Sequence, residues 1–345
     1  MAHRTYRGAL LGLGGIAREG HLPAFLLDPV LRERIRIVAG VDRAPGVPEG
    51  GDPLERAGIV RLSSREELEE VGDIDFVDIC TPTSTHVELA LWALERGYHV
   101  LCEKPVALDG TEARRLAEAS RAAGRMVVPC HQYRFNPVWR QIAAWLEEGV
   151  IGNWHLAELA VYRPHADPGI SHTALPWRGR SAESRGGVLV DHGIHWLYLL
   201  LEVAGAPAAV QAWSGRLAHH DYDVEDTIQL TLEYPDRLAA LFLTWAGGRR
   251  ESRVRFTGER GTIEWVGGEL RLETRTLTRS RDFSAQLTKA AYAGWFAELF
   301  RTFVDALDGG GPAPFDGEVA RVAELIEAAY AASDSGRKLT VAARA

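Results

Sequence analysis

Asp191 and His195 lie four residues apart in the stretch Gly186-Gly187-Val188-Leu189-Val190-Asp191-His192-Gly193-Ile194-His195. In an apolar pattern of helical period, that spacing puts both side chains on one face. An imidazole accepts an alcohol proton near neutral pH, and a neighbouring carboxylate orients the ring or holds an adjacent hydroxyl. An isolated pair of this kind is more often a helix-surface contact, so its reading depends on what accompanies it. Lys104 stands in Glu103-Lys104-Pro105, directly after the apolar run 99–102, and is one of only three lysines, with Lys289 and Lys338. An ammonium placed there hydrogen-bonds a substrate oxygen; a lone lysine would be a solvated loop charge. Gly12-Leu13-Gly14-Gly15-Ile16-Ala17 matches G-x-G-x-x-A after an apolar run. The first glycine permits a tight turn, the second lets backbone approach a pyrophosphate, and the small last residue lets helix and strand pack. Asp42, at the end of the next apolar run, is where a carboxylate holds an adenosine ribose. It favours NAD by repelling the 2'-phosphate of NADP; Arg43, which can pair with that phosphate or stack on adenine, keeps NADP as the alternative.

The elements that must position these residues fall into two textures. Up to about residue 130, short apolar runs (6–11, 35–41, 76–80, 99–102, 126–129) alternate with helical patterns, as in a parallel sheet wrapped by helices. Ser64 and Glu67 form a capping box, Gly97 closes a helix over 87–96, and Gly124 closes another over 111–123. Thr81-Pro82-Thr83, His86, Glu103 and Lys104 then follow strands at the carboxyl edge, where such sheets bind ligands. Beyond residue 130, alternating runs (155–162, 227–234, 238–245, 253–257, 261–266) read as antiparallel strands, with helices over 187–201, 292–307 and 318–332. The expected fold is an α/β Rossmann domain over 1–130, doubly wound around a mainly parallel sheet. An α+β substrate-binding and oligomerisation domain over 131–345 follows, built on an open-faced, mainly antiparallel sheet. The closing helix, about 316–335, is expected to pack back toward the first domain.

Composition narrows the partners. The 345 residues carry a formal net charge of -8, without the clustered positive excess that nucleic acid or anionic lipid requires. No apolar segment is long enough to span a bilayer, and the N-terminal apolar stretch breaks at Gly12 without a cleavage site, so the expected compartment is the cytoplasm. Cys80, Cys102 and Cys130 form no C-x-x-C pair and sit in or beside apolar runs, which favours buried thiols. No metal is expected: His219, His220, Asp221 and Asp223 are crowded too closely in sequence for good ligand geometry.

Taken together, GLGGIA, TPTSTH, CEKP and GGVLVDHGIH resemble the Gfo/Idh/MocA oxidoreductases (glucose-fructose oxidoreductase, inositol dehydrogenase, rhizopine catabolism), from the turn near Gly12 to the helix after Asp316. The resemblance implies a Rossmann domain followed by an open-faced sheet, with the nicotinamide between them. It implies that Lys104, Asp191 and His195 face a sugar-like or polyol substrate. Tyr198 departs from the pattern, standing where many members have a further aspartate. Tyr133-Arg134-Phe135 with Pro137 resembles the family segment that enters the second domain; Arg134 either reaches cofactor or substrate or forms a structural ion pair. His172, Trp177 and Arg178, in a loop-rich stretch before the helix of His195, are candidates to line the substrate pocket. The expected activity is a nicotinamide-dependent dehydrogenase or reductase acting on CH–OH groups of a sugar, cyclic polyol or derivative, in a homodimer or homotetramer. The alternatives are a redox-neutral glycosidase or epimerase that retains its cofactor, and a non-catalytic regulatory binder.

Overall fold

The structure is a computed structural model that describes residues 4–43, 53–166, 177–309, 313–315 and 317–341. The chain divides into two compact units. The first comprises Met1–Ala107, Thr111–Gln132 and Tyr292–Val319; the second comprises Leu108–Gly110, Tyr133–Ala291 and Ala320–Ala345.

In the first unit six parallel strands form one sheet: β1 (Tyr6–Leu11), β2 (Ile35–Val41), β3 (Val60–Leu62), β4 (Phe76–Ile79), β5 (His99–Cys102) and β6 (Val127–Pro129). Their order, β3-β2-β1-β4-β5-β6, is that of a dinucleotide-binding sheet. Continuous apolar runs form its centre because helices cover both faces; Ala9, Leu10, Phe76, Val77 and Val100 are fully buried. Strand order reverses between β1 and β4, so the segments after them, beginning at Gly12 and Cys80, flank the switch point. One covering layer comes from far along the chain. The helix Lys289–Leu307 places Phe296, Phe300 and Phe303, all fully buried, against His21, Phe25 and Phe76.

The second unit holds a nine-stranded sheet of β7 (Trp154–Tyr162), β8 (Ala209–Gly215), β9 (Thr227–Glu233), β10 (Leu238–Thr244), β11 (Glu251–Gly258), β12 (Gly261–Val266), β13 (Glu269–Thr274), β14 (Thr278–Asp282) and β15 (Leu339–Thr340). All neighbours are antiparallel except β7 with β10. Alternation sends Leu159, Leu230, Leu241, Val254 and Ile263 to one buried face, in one core with the helices Pro137–Glu147, Ile194–Ala204 and Glu318–Ser335. The opposite face shows Trp213, Phe242 and Val266 exposed.

Val322, Leu325, Ile326 and Ala329 of the closing helix lie in the core of the second unit, while its first residue, Glu318, belongs to the first, 2.8 Å from His131. The capping box is half formed: the Glu67 carboxylate accepts N–H bonds from Ser63 (3.2 Å) and Ser64 (2.9 Å), but the helix begins only at Leu68. Among the described residues, no helix is long and apolar enough to cross a membrane.

Candidate active site

The glycine turn is built as its residue types require. Gly12 has φ of 91°, and a Cβ there would lie 2.9 Å from the Cys80 carbonyl group. A Cβ on Gly14 would meet nothing within 4 Å, so no protein neighbour demands glycine there. A Cβ would fill part of that open space, into which a dinucleotide pyrophosphate would fit. Gly15 and Ile16 open the helix that follows. Asp42 sits just past β2, where its Oδ2 accepts the Leu13 N–H at 2.8 Å, tying this carboxylate to the glycine turn; Arg43 is exposed.

Past β4, Thr81 and Thr85 join their hydroxyls at 2.7 Å, Thr83 is buried, and the Thr85 hydroxyl donates to the Pro82 carbonyl at 2.8 Å. The side chains of His86 and Glu103, both expected at the cofactor, are each engaged with protein groups. The buried His86 ring spans the carbonyls of Pro105 (2.7 Å) and Thr81 (2.9 Å), joining the two ligand-edge loops. Glu103 Oε1 lies 3.0 Å from His21 Nε2, while its Oε2 accepts the Lys104 N–H at 3.1 Å. His21 Nδ1 lies 2.7 Å from Asp78 Oδ2, completing a buried Asp–His–Glu triad around which Lys104 turns. Burial opposes charge on His21, yet the two carboxylates prevail and push its pKa up to about 9. Cys80 and Cys130 also approach this triad, in groupings that could hold an ion. Two ligands of a tetrahedral ion with bonds near 2.0 Å sit about 3.3 Å apart; the shorter His21 contacts are hydrogen bonds of an imidazolium. All three cysteines are buried and free.

In the second unit, Asp191 lies on a π-helical turn, Leu189–Gly193, that leads into the helix of His195; such turns recur at functional sites. Asp191 Oδ1 accepts from Arg178 Nε at 3.0 Å, and Oδ2 lies 3.1 Å from His192 Nδ1. That nitrogen also accepts the Trp245 indole N–H at 3.2 Å. An indole N–H can only donate, so the contact with Asp191 becomes an ion pair only when His192 is protonated. Trp177 stacks beneath the Arg178 guanidinium at 4.6 Å, and His172 lies outside the described residues. The buried His195 is oriented by two tyrosines: its Nδ1 is 2.9 Å from the Tyr198 hydroxyl, and its ring stacks on Tyr133 at 4.0 Å. Arg134 forms the ion pair alternative, 2.9 Å from Glu202. His219 is taken up by the Trp245 carbonyl at 2.9 Å, and Asp223 by the N–H of Ser181.

The N-terminus of the Asp191 segment is anchored by Glu225. Its carboxylate accepts N–H bonds from Gly187 (2.9 Å) and Leu189 (3.1 Å) and the Tyr330 hydroxyl (2.9 Å), and its carbonyl accepts from Val188. A Cβ on Gly187 would lie 1.9 Å from that carbonyl oxygen, so only glycine fits. Sequence reasoning found neither Glu225 nor His21, Tyr133 and Tyr198 as supports. Asp78 carried a signal, being an acid inside an otherwise apolar strand.

Two sequence profiles of one family match the chain: an oxidoreductase family with an NAD-binding Rossmann fold over residues 6–131, and the GFO/IDH/MocA C-terminal domain over residues 139–264. The chain belongs to the GFO/IDH/MocA family, and is an NAD-binding oxidoreductase. It is 32% identical over 176 residues to the D-glucoside 3-dehydrogenase of Escherichia coli K12, covering 46% of this chain and 48% of that protein. It is 34% identical over 182 residues to inositol 2-dehydrogenase 4 of Saccharopolyspora erythraea, covering 50% and 49%. Each match therefore spans about half the length of the relative. An oxidoreductase from Agrobacterium radiobacter, solved with NAD+, L-tartaric acid and magnesium, superimposes with a TM-score of 0.83 at 22% identity, covering 97% of this chain and 98% of that one; this likeness is one of fold.

Proposed function

We propose that the chain is an NAD-dependent dehydrogenase acting on a CH–OH carbon of a sugar, cyclic polyol or sugar derivative. The observation that carries this reading is that Lys104 and His195 are each held by buried partners, Lys104 through the Glu103–His21 triad and His195 by Tyr133 and Tyr198. Families of named relatives that act on glucosides and inositol support the substrate class. When bound, the nicotinamide supplies the hydride acceptor or donor. In the oxidation direction His195 takes the hydroxyl proton, and Lys104 hydrogen-bonds a substrate oxygen and stabilises developing negative charge. Asp191, set by Arg178, holds a neighbouring hydroxyl, with Trp177 beside it. Asp42 selects NAD over NADP.

A panel of sugars and polyols, followed by nicotinamide absorbance with NAD and with NADP, tests the reading. Net NADH should accumulate with at least one polyol, and Asp42→Ser should narrow the preference for NAD. No turnover with any member, or a preference of the unaltered protein for NADP, would overturn the corresponding part. The open sheet face is proposed to meet a second copy of the chain. One register row across it runs through Trp213, Gln229, Phe242, Ala160, Arg253 and Val266, apolar enough to favour cover. Light scattering at micromolar concentration should give a dimer or tetramer mass.

A further inference from the structure

We infer that Tyr198 is the positioning residue of His195, holding its ring through a neutral phenol where a carboxylate would hold it with charge. The inference rests on the proposed role of His195. His195 and Tyr198 are one turn apart on the helix Ile194–Ala204, and the hydroxyl lies 2.9 Å from Nδ1. The phenol is itself fixed: its side chain is fully buried, and its oxygen accepts the Tyr133 backbone N–H at 3.1 Å. Tyr133 closes the arrangement by stacking its ring on the imidazole at 4.0 Å with 22° between the planes. One residue thus grips both members, its backbone taking the phenol and its ring the imidazole.

With Nδ1–H donating to the Tyr198 oxygen, the unprotonated Nε2 is the atom that takes the substrate proton. A carboxylate at Nδ1 favours the protonated imidazole strongly; a phenol oxygen does so only as a dipole. The charged groups around the cluster do not replace a carboxylate at Nδ1. Arg134, 6.0 Å from the Tyr198 ring, is paired with Glu202; Asp191 is paired with Arg178; Arg163 and Arg250 act on the Tyr133 hydroxyl. Tyr198 therefore fixes the direction of the ring through a neutral dipole and brings no charge to it.

The test uses the full chain with Tyr198→Phe and Tyr198→Asp. Tyr198→Phe should lower kcat on the polyol found by the panel by about 10²-fold, because the base is no longer aimed, with NAD affinity unchanged. Tyr198→Asp restores a partner at Nδ1 and should recover part of kcat, with the acid limb of kcat/KM moved to higher pH by about one unit or more. Should the buried aspartate unfold the protein, the His195 ring nitrogens can be followed by 15N NMR in the unaltered and Tyr198→Phe proteins, assigned with His195→Gln. The Nδ1 resonance should change. Unaltered kcat in Tyr198→Phe, or an unchanged His195 Nδ1 resonance, would overturn the inference. If the unaltered protein turns over no polyol, the functional reading fails by itself, while the Nδ1 resonance still decides the role of Tyr198.

Discussion

At the scale of single residues, the proposed chemistry divides into groups that face substrate and groups that hold them. His195→Ala and Lys104→Ala remove the two groups proposed to act on the substrate oxygen and should each lower kcat by about 10² to 10⁴. NAD affinity, measured by fluorescence titration, should stay within about twofold, because the turn at Gly12 and Asp42 are untouched. His21 is testable through pH. Its pKa in the fold is about 9 against 6.5 for a free imidazole, so its contribution to stability is complete below pH 6.5 and is lost as pH rises through 9. That contribution is on the order of 3 kcal/mol. The melting-temperature gap between the unaltered protein and His21→Gln should therefore be wide at pH 6 and narrow steadily to pH 9.5; a constant gap would show that no imidazolium sits there. Gly12, Asp42, Lys104 and His195, the residues proposed for the site, could be singled out in the sequence because each stands at a fixed offset from a strand end or within a helical pattern. Their supports could not. His21 meets Asp78 and Glu103 across many residues of chain, and periodicity carries no record of which distant side chain fills a gap.

At the scale of elements, alternation was enough to find β7, β9, β10, β11 and β12, since each buries one face and solvates the other. β14 was invisible because every residue of Thr-Arg-Ser-Arg-Asp is exposed; it is a strand only because β13 offers it an edge. The π-helical turn at Asp191 was equally silent, being dictated by neighbours and not by its own apolar spacing. Glu225 is the clearest of these neighbours, joining the start of that turn to Tyr330 on the closing helix. Glu225→Ala leaves buried N–H groups without their acceptor and should cost about 2 to 3 kcal/mol. In a chain of this size that lowers Tm by roughly 3 to 4 °C. It should lower kcat while sparing NAD affinity, because Glu225 belongs to the second unit and the glycine turn to the first. Equal losses in both would assign it a general structural role.

At the scale of the whole molecule, the two textures of the sequence marked two folds, but not the path of the chain through them. Residues 292–319 return to the first unit after β14, and 320–345 go back to the second, where β15 adds the last strand of its sheet. The returning helix brings Phe296, Phe300 and Phe303, each worth about 1.5 to 3 kcal/mol on burial, and ion pairs from Arg301 to Asp28 and from Asp308 to Arg34. A fragment of residues 1–132 should therefore be poorly soluble and melt without a cooperative transition; addition of a peptide covering residues 289–319 should restore both solubility and cooperativity. A soluble, cooperatively melting fragment would show that the returning helix is dispensable. The same path governs how the protein is born. When the ribosome has made all six strands of the first sheet, the aromatic cover of that sheet is still roughly 160 residues from synthesis. At ordinary elongation rates this leaves the nascent sheet uncovered for about 10 to 30 s. The dinucleotide fold, first in sequence, is among the last to close, and its early strands must be shielded by chaperones or kept from pairing until the chain is nearly finished.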